Sequence, residues 1–283
     1  MSPLHAAAHA GQTECVRLLL EGGAQVDITD RWADTPLHKA VVNGHIECAV
    51  ALLDAGAKCN GVNLGFDTPF RKSIYHGHLD CAKLLVERGA QYDFSSEKNI
   101  TALHLSVFKG HDRCAQLCID LGINVDSRDE SDMTPLFFAG VNGHLDCVRL
   151  LVKHNANLNA RDQDSKVVLH YTARKGLAQC SDLLIHAGAD VGAQDDSGFT
   201  PLHEAADAGQ ISTVRVLLEN GADATQRDAD GDSPLHLAVR AGNIDCVRLL
   251  LENVGDEVNS SGFASCWSPL HEALSEDNLS MMQ

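Results

Sequence analysis

The chain has 283 residues, 44% of them apolar and 5% aromatic, with 22 basic against 39 acidic side chains and a net charge of −17. That balance repels phosphates, so it argues against nucleic acid and anionic membranes as partners and favours a neutral or basic protein. No stretch approaches the roughly 20 apolar residues that span a bilayer, and Met1-Ser2-Pro3-Leu4-His5 is no signal peptide. Along the chain a Thr/Ser-Pro-Leu-His pattern returns every 33 residues, anchored at Ser2, Thr35, Thr68, Thr101, Thr134, Val167, Thr200 and Ser233, then after 35 at Ser268. A fixed period of this length means one small unit stacked on itself, each copy too small to bury its own apolar face.

The copy anchored at Thr200 shows the unit. Asp195 to Phe199 is turn chemistry, Thr200 an N-cap, and Pro201 a first helical residue. Leu202, Ala205 and Ala206 predict a short inner helix that Gly209 ends. Val214, Leu217 and Leu218 predict a second helix, closed by Gly221-Ala222. In chain order the departures are Phe70-Arg71 in repeat three, Ala102 for proline in repeat four, and Phe137 for histidine in repeat five. Val167-Val168 in repeat six lacks both cap and proline, which predicts a weak seam there. The chain begins at a helix cap and ends at the start of a second helix, Leu279 to Gln283, with neither end a polar capping repeat. It reads as a piece of a longer protein.

These columns resemble the ankyrin repeat over the whole chain. The resemblance includes the inter-helix glycines, such as Gly11, Gly44 and Gly77, the Leu-Leu pairs, such as Leu150-Leu151, and the Gly-Ala endings, such as Gly56-Ala57. It implies an all-α solenoid of about nine 33-residue helix-turn-helix repeats with β-turn or hairpin tips, a single domain over residues 1–283 with incomplete outer repeats. It also implies that the histidine four places into the pattern bonds to the neighbouring turn. The Cys-Val-Arg-Leu-Leu wording at Cys147 to Leu151 resembles the ankyrin-and-SOCS-box family, whose members act as substrate receptors of ubiquitin ligases.

Ten cysteines and 15 histidines raise a metal-binding alternative, and His45 with Cys48, His78 with Cys81, His111 with Cys114 and His144 with Cys147 repeat a His-x-x-Cys spacing. A structural zinc site gathers four ligands in one module. These pairs recur once per repeat, so they read as structure. Seven cysteines (Cys15, Cys48, Cys81, Cys114, Cys147, Cys180 and Cys246) stand 13 residues after their anchors. Equivalent residues of adjacent repeats lie roughly 10 Å apart, too far for disulfides, so the cysteines read as buried free thiols of a reducing compartment, cytoplasmic or nuclear. No Gly-x-Ser-x-Gly elbow or Gly-rich phosphate loop occurs, which argues against an enzyme, and no cofactor is implied.

Function therefore lies in the positions that vary. The family resemblance places partner contacts at the turn tips and on the exposed face of the first helix. Those positions hold Trp32, Tyr75, Phe108, Phe138, Tyr171, Phe199 and Trp267, with Ile100 and Met133 beside them. They predict a patch for a protein partner over repeats two to seven, on a monomeric scaffold. Trp267 reads instead as a gap filler, because its repeat carries the insertion. Lys166, Arg174 and Lys175 form a basic cluster suited to an acidic stretch of partner.

Overall fold

The computed structural model describes residues 1–93 and 98–254, in two compact units, Met1–Glu130 and Ser131–Gln283. In the first unit, inner helices α1 (Pro3–His9), α3 (Pro36–Val42), α5 (Pro69–Tyr75) and α7 (Ala102–Phe108) alternate with outer helices α2 (Thr13–Glu21), α4 (Ile46–Asp54), α6 (Leu79–Glu87) and α8 (Asp112–Asp120). In the second, α9 (Pro135–Val141), α11 (Val168–Arg174), α13 (Pro201–Asp207) and α15 (Pro234–Arg240) alternate with α10 (Leu145–Lys153), α12 (Ala178–His186), α14 (Ile211–Glu219) and α16 (Ile244–Val254). Within each unit inner helices pack on inner helices and outer on outer. The described residues thus contain eight helix pairs at the expected spacing and no strand. The ninth anchor, Ser268, lies outside them.

The short inner helices owe their start to a reciprocal cap. In α3 the His38 amide donates to Thr35 Oγ1 at 3.4 Å, and the Thr35 amide donates to His38 Nδ1 at 3.1 Å. The ring then donates from Nε2 to the Asp67 carbonyl at 3.2 Å, in the next turn. His5 reaches Asp34 at 2.9 Å in the same way, and in the second unit His170 reaches Phe199 at 2.9 Å and His203 reaches Asp232 at 3.2 Å. Each of these rings closes its own helix and fastens the following tip. Arg71 keeps the link in repeat three, its Nη1 donating to the Ile100 carbonyl at 2.6 Å. Phe137 cannot, and the buried Thr134 hydroxyl has no hydrogen-bond partner among the described residues. In repeat six Val167 offers no hydroxyl, yet its amide still donates to His170 Nδ1 at 3.1 Å. The missing cap therefore removes one bond and leaves the ladder intact.

The described tips are tight turns, not strands. Asp30 Oδ1 accepts from the Trp32 and Asp34 amides, and Asn63, Asp162, Asp195 and Asp228 do the same in their repeats. Two places before each anchor the backbone is left-handed: φ is 59° at Ala33, 58° at Phe66, 56° at Asn99, 61° at Asp132 and 60° at Ser165. Only Gly198 and Gly231 meet that demand with glycine. The inter-helix glycines have a second reason. A Cβ on Gly11 would lie 2.6 Å from His45 Nδ1, because that ring packs over the backbone of the repeat before it.

The core is the column of inner-helix residues Leu4, Leu37, Phe70 and Leu103 in the first unit and Leu136, Leu169, Leu202 and Leu235 in the second, all nearly inaccessible. Of the pair Leu150-Leu151, Leu151 is the buried member and Leu150 is only half-buried. Cys48, Cys81, Cys114, Cys147, Cys180 and Cys246 are buried free thiols. Cys15 departs from the expectation and is exposed, because α2 packs on α4 alone among the described helices of its layer. Burial raises the Cys81 and Cys114 thiols to about 11. Thiol titration of the native chain should therefore find Cys15 fast and these six slow until denaturant is added. A Cys15→Ser chain that keeps its full count of fast thiols would contradict this placement.

Thr213 occupies the cysteine column of repeat seven, fully buried, and its hydroxyl has no hydrogen-bond partner among the described residues. An unsatisfied buried hydroxyl costs about 1–3 kcal/mol, so Thr213→Val is expected to stabilise the chain by about 1 kcal/mol. Urea unfolding of the two proteins checks this, and an unchanged midpoint would count against it.

Candidate recognition surface

The tips of repeats two and three, in the first unit, carry an apolar cluster. Trp32 is 56% exposed, Leu64 68%, Val62 45% and Phe66 42%. The Leu64 amide donates to the Trp32 carbonyl at 3.0 Å, so the two tips lie side by side. The Arg31 guanidinium stands 5.0 Å over the Trp32 ring. Sequence reasoning selected Trp32 and missed the other three. Leu64 stands four places before its anchor, at a turn-tip position, but as an aliphatic residue it carries no aromatic signal in the sequence.

On the inner-helix face of the same unit, Phe108 is exposed and Tyr75 half-buried, and both rings meet the Lys109 ammonium at 5.4 and 4.5 Å. Ile100 is half-buried, and its carbonyl receives Arg71. Lys39 lies 2.9 Å from Asp30 and 2.6 Å from Asp34. Burial alone would raise the Asp30 carboxyl, but the hydrogen bonds from Lys39 and from the Trp32 and Asp34 amides outweigh it and hold the group at about 2. Asp30 and Asp34, both held below the ordinary carboxylate value, are thus ionised and employed in the fold.

In the second unit the expected contact residues are more closely engaged. Met133 and Phe138 are half-buried. The Tyr171 hydroxyl donates to Asp162 Oδ2 at 2.6 Å, and its ring meets Phe137 edge-on at 5.8 Å. Burial and that carboxylate raise the phenol well above its ordinary range. Phe199 stacks on His203 at 5.5 Å. Tyr171 and Phe199 therefore serve their own stack, as gap-filling rings would. Trp267 lies outside the described residues.

The basic cluster expected to take an acidic stretch is already neutralised. Glu204, 1% exposed, accepts from Lys166 at 2.5 Å and from Arg174 at 2.6 Å. Burial would raise the Glu204 carboxyl, but the two cations outweigh it and hold the group below the usual carboxylate range. Lys175 donates to the Val141 carbonyl at 2.9 Å. The His-x-x-Cys histidines are likewise occupied: His45 donates from Nε2 to the His9 carbonyl at 3.1 Å and His78 to that of Val42 at 2.9 Å. Among the described residues no three His, Cys, Asp or Glu side chains converge on a common point, and no helix is long and apolar enough to cross a membrane.

A family model for three ankyrin-repeat copies matches residues 1–63 and 72–162, one for many copies matches 202–251, and a single-repeat model matches 166–196. Among solved structures, the chain is similar to the crystal structure of the human ASB11 ankyrin repeat domain. The TM-score is 0.72 at 30% identity, over 78% of this chain and 98% of that one. The comparison with curated proteins gives no match. The repeated cap, ladder and tip, together with these matches over most of its length, place the chain in the ankyrin-repeat family.

Proposed function

We propose that this chain is a non-catalytic scaffold that recognises a protein partner through the tips and inner helices of its first unit, residues 1–283 acting as one monomeric repeat domain. The observation that carries the reading is the exposed cluster of Trp32, Val62, Leu64 and Phe66 on neighbouring tips. Apolar side chains gathered in this way mark interaction sites, and a rigid repeat framework binds with little ordering cost. Ile100, Tyr75 and Phe108 extend the same unit's surface, while Met133, Phe138, Tyr171 and Phe199 take a lesser part. The buried free thiols favour a reducing compartment, cytoplasm or nucleus.

The test pairs binding with melting. Against a partner recovered by affinity capture, truncation of Trp32 or Leu64 to alanine is expected to cost about 2 kcal/mol of binding at a true anchor. The melting temperature should stay where it was, since both side chains are largely in solvent. Parent-like affinity in both variants would move the recognition surface elsewhere, and a loss explained by earlier melting would make these residues structural. A second reading is favoured by the likeness to the human ASB11 ankyrin repeat domain and by the Cys147 to Leu151 wording. In that reading the chain is the substrate-binding part of a ubiquitin-ligase receptor. The parent reading frame beyond Gln283 decides it, by encoding or lacking a ligase-recruiting box.

A further inference from the structure

The inner-helix face of α5 and α7 presents the Lys109 ammonium over two aromatic rings. Lys72 and Arg71 both pair with Asp67, at 3.1 and 3.3 Å. Among the described residues Lys109 pairs with no carboxylate; its ammonium lies over the Tyr75 and Phe108 rings. His76, beside Tyr75, is held below the ordinary imidazole value, first by burial and then by the positive field of Lys72, His78, Lys109 and His111. The face is thus a pair of aromatic rings with an ammonium on top, inside a chain whose net charge is −17. Salt screens the distant acids beyond about 10 Å, so the nearby cations decide what docks here.

From this arrangement, and resting on the recognition reading above, we infer that the partner presents an acidic segment to the first unit, with a carboxylate on Lys109 and an adjacent apolar side chain against Tyr75 and Phe108. The chemistry is specific. An ammonium lying over ring faces is partly stripped of water, yet its N–H donors still point outward to an acceptor. A carboxylate meets that charge without displacing an internal partner, whereas at Lys166 and Arg174 it would have to compete with Glu204. A basic segment would be repelled at this face, whatever the sign of the total charge.

A phage-displayed random-peptide library selected on the intact chain tests the inference. The expected pool is rich in Asp and Glu next to aromatic or aliphatic residues, and its binding weakens as salt rises. Lys109→Glu should reduce the affinity of a synthetic selected peptide on the order of tenfold or more. Lys83→Glu, which changes the net charge equally at an exposed site on the outer helix α6, should leave it intact. Melting curves of both variants should overlay the parent's. A basic or neutral pool, or equal losses in the two variants, would overturn the inference. Peptides that depend on Trp32 and ignore Lys109 would overturn it while sparing the recognition reading. A library that yields no binder to the folded chain would remove both.

Discussion

Phe137→Ala is expected to destabilise the second unit by about 3–5 kcal/mol, the cost of emptying a buried phenylalanine site. The ring is 1% exposed and meets Tyr171 edge-on at 5.8 Å. It stands where other repeats place the ladder histidine, so repeat five has exchanged a polar link for apolar volume, and Thr134 Oγ1 is left without a hydrogen-bond partner among the described residues. Leu150→Ala, at a half-buried site, should cost clearly less, and Leu151→Ala, at a fully buried one, about 2–5 kcal/mol. Urea unfolding ranks the three, and hydrogen exchange in α9 and α11 locates the damage. A loss below about 1 kcal/mol at Phe137 would mean that the ring is not part of the core.

Acid should loosen the stack well before its carboxylates are protonated. His203 is brought from 6.5 to about 4, chiefly by burial, and His38 and His170 are lowered for the same reason. In the folded chain the Nδ1 of each accepts a bond from a cap amide, so a proton has no place there. Folded values below the unfolded one mean that the unfolded chain takes up protons first. Stability contributed by neutral His203 is then complete above about 6.5 and lost as pH falls toward about 4, a change on the order of 3 kcal/mol. Asp30 acts in a lower window: it is held at about 2, and its contribution is lost as pH falls from the ordinary value of 3.8 toward about 2. Unfolding free energies measured between about pH 7 and pH 4 check this, and a flat profile would exclude it. A His203→Gln chain should show a shallower slope.

What repeats was legible. Caps, prolines, glycines and the Leu column act within one copy, so the 33-residue spacing exposes them directly. What pairs across copies was not. Arg71 read as a departure, yet its long guanidinium spans to the Ile100 carbonyl and does the histidine's work. Lys166 and Arg174 read as a free basic patch because Glu204 lies 38 and 30 residues away in sequence, although it faces them in the next copy. Opposite charges at facing positions of consecutive repeats were the available signal. The exposed Cys15 follows from the same limit, since column position names a packing face, and among the described helices of its layer only α4 packs on α2.

The left-handed tips have a consequence for how this chain tolerates change. A Cβ at φ near 60° costs roughly 1–2 kcal/mol relative to the right-handed region, and glycine escapes most of it. Ala33, Phe66, Asn99, Asp132 and Ser165 all carry that load, Phe66 with its bulky ring partly in water. At such a residue backbone ease and outward chemistry pull in opposite directions. Replacing Phe66 by glycine would make the turn easier to form and erase what the turn displays. Efforts to toughen the protein and efforts to sharpen its recognition would therefore collide at the same few residues.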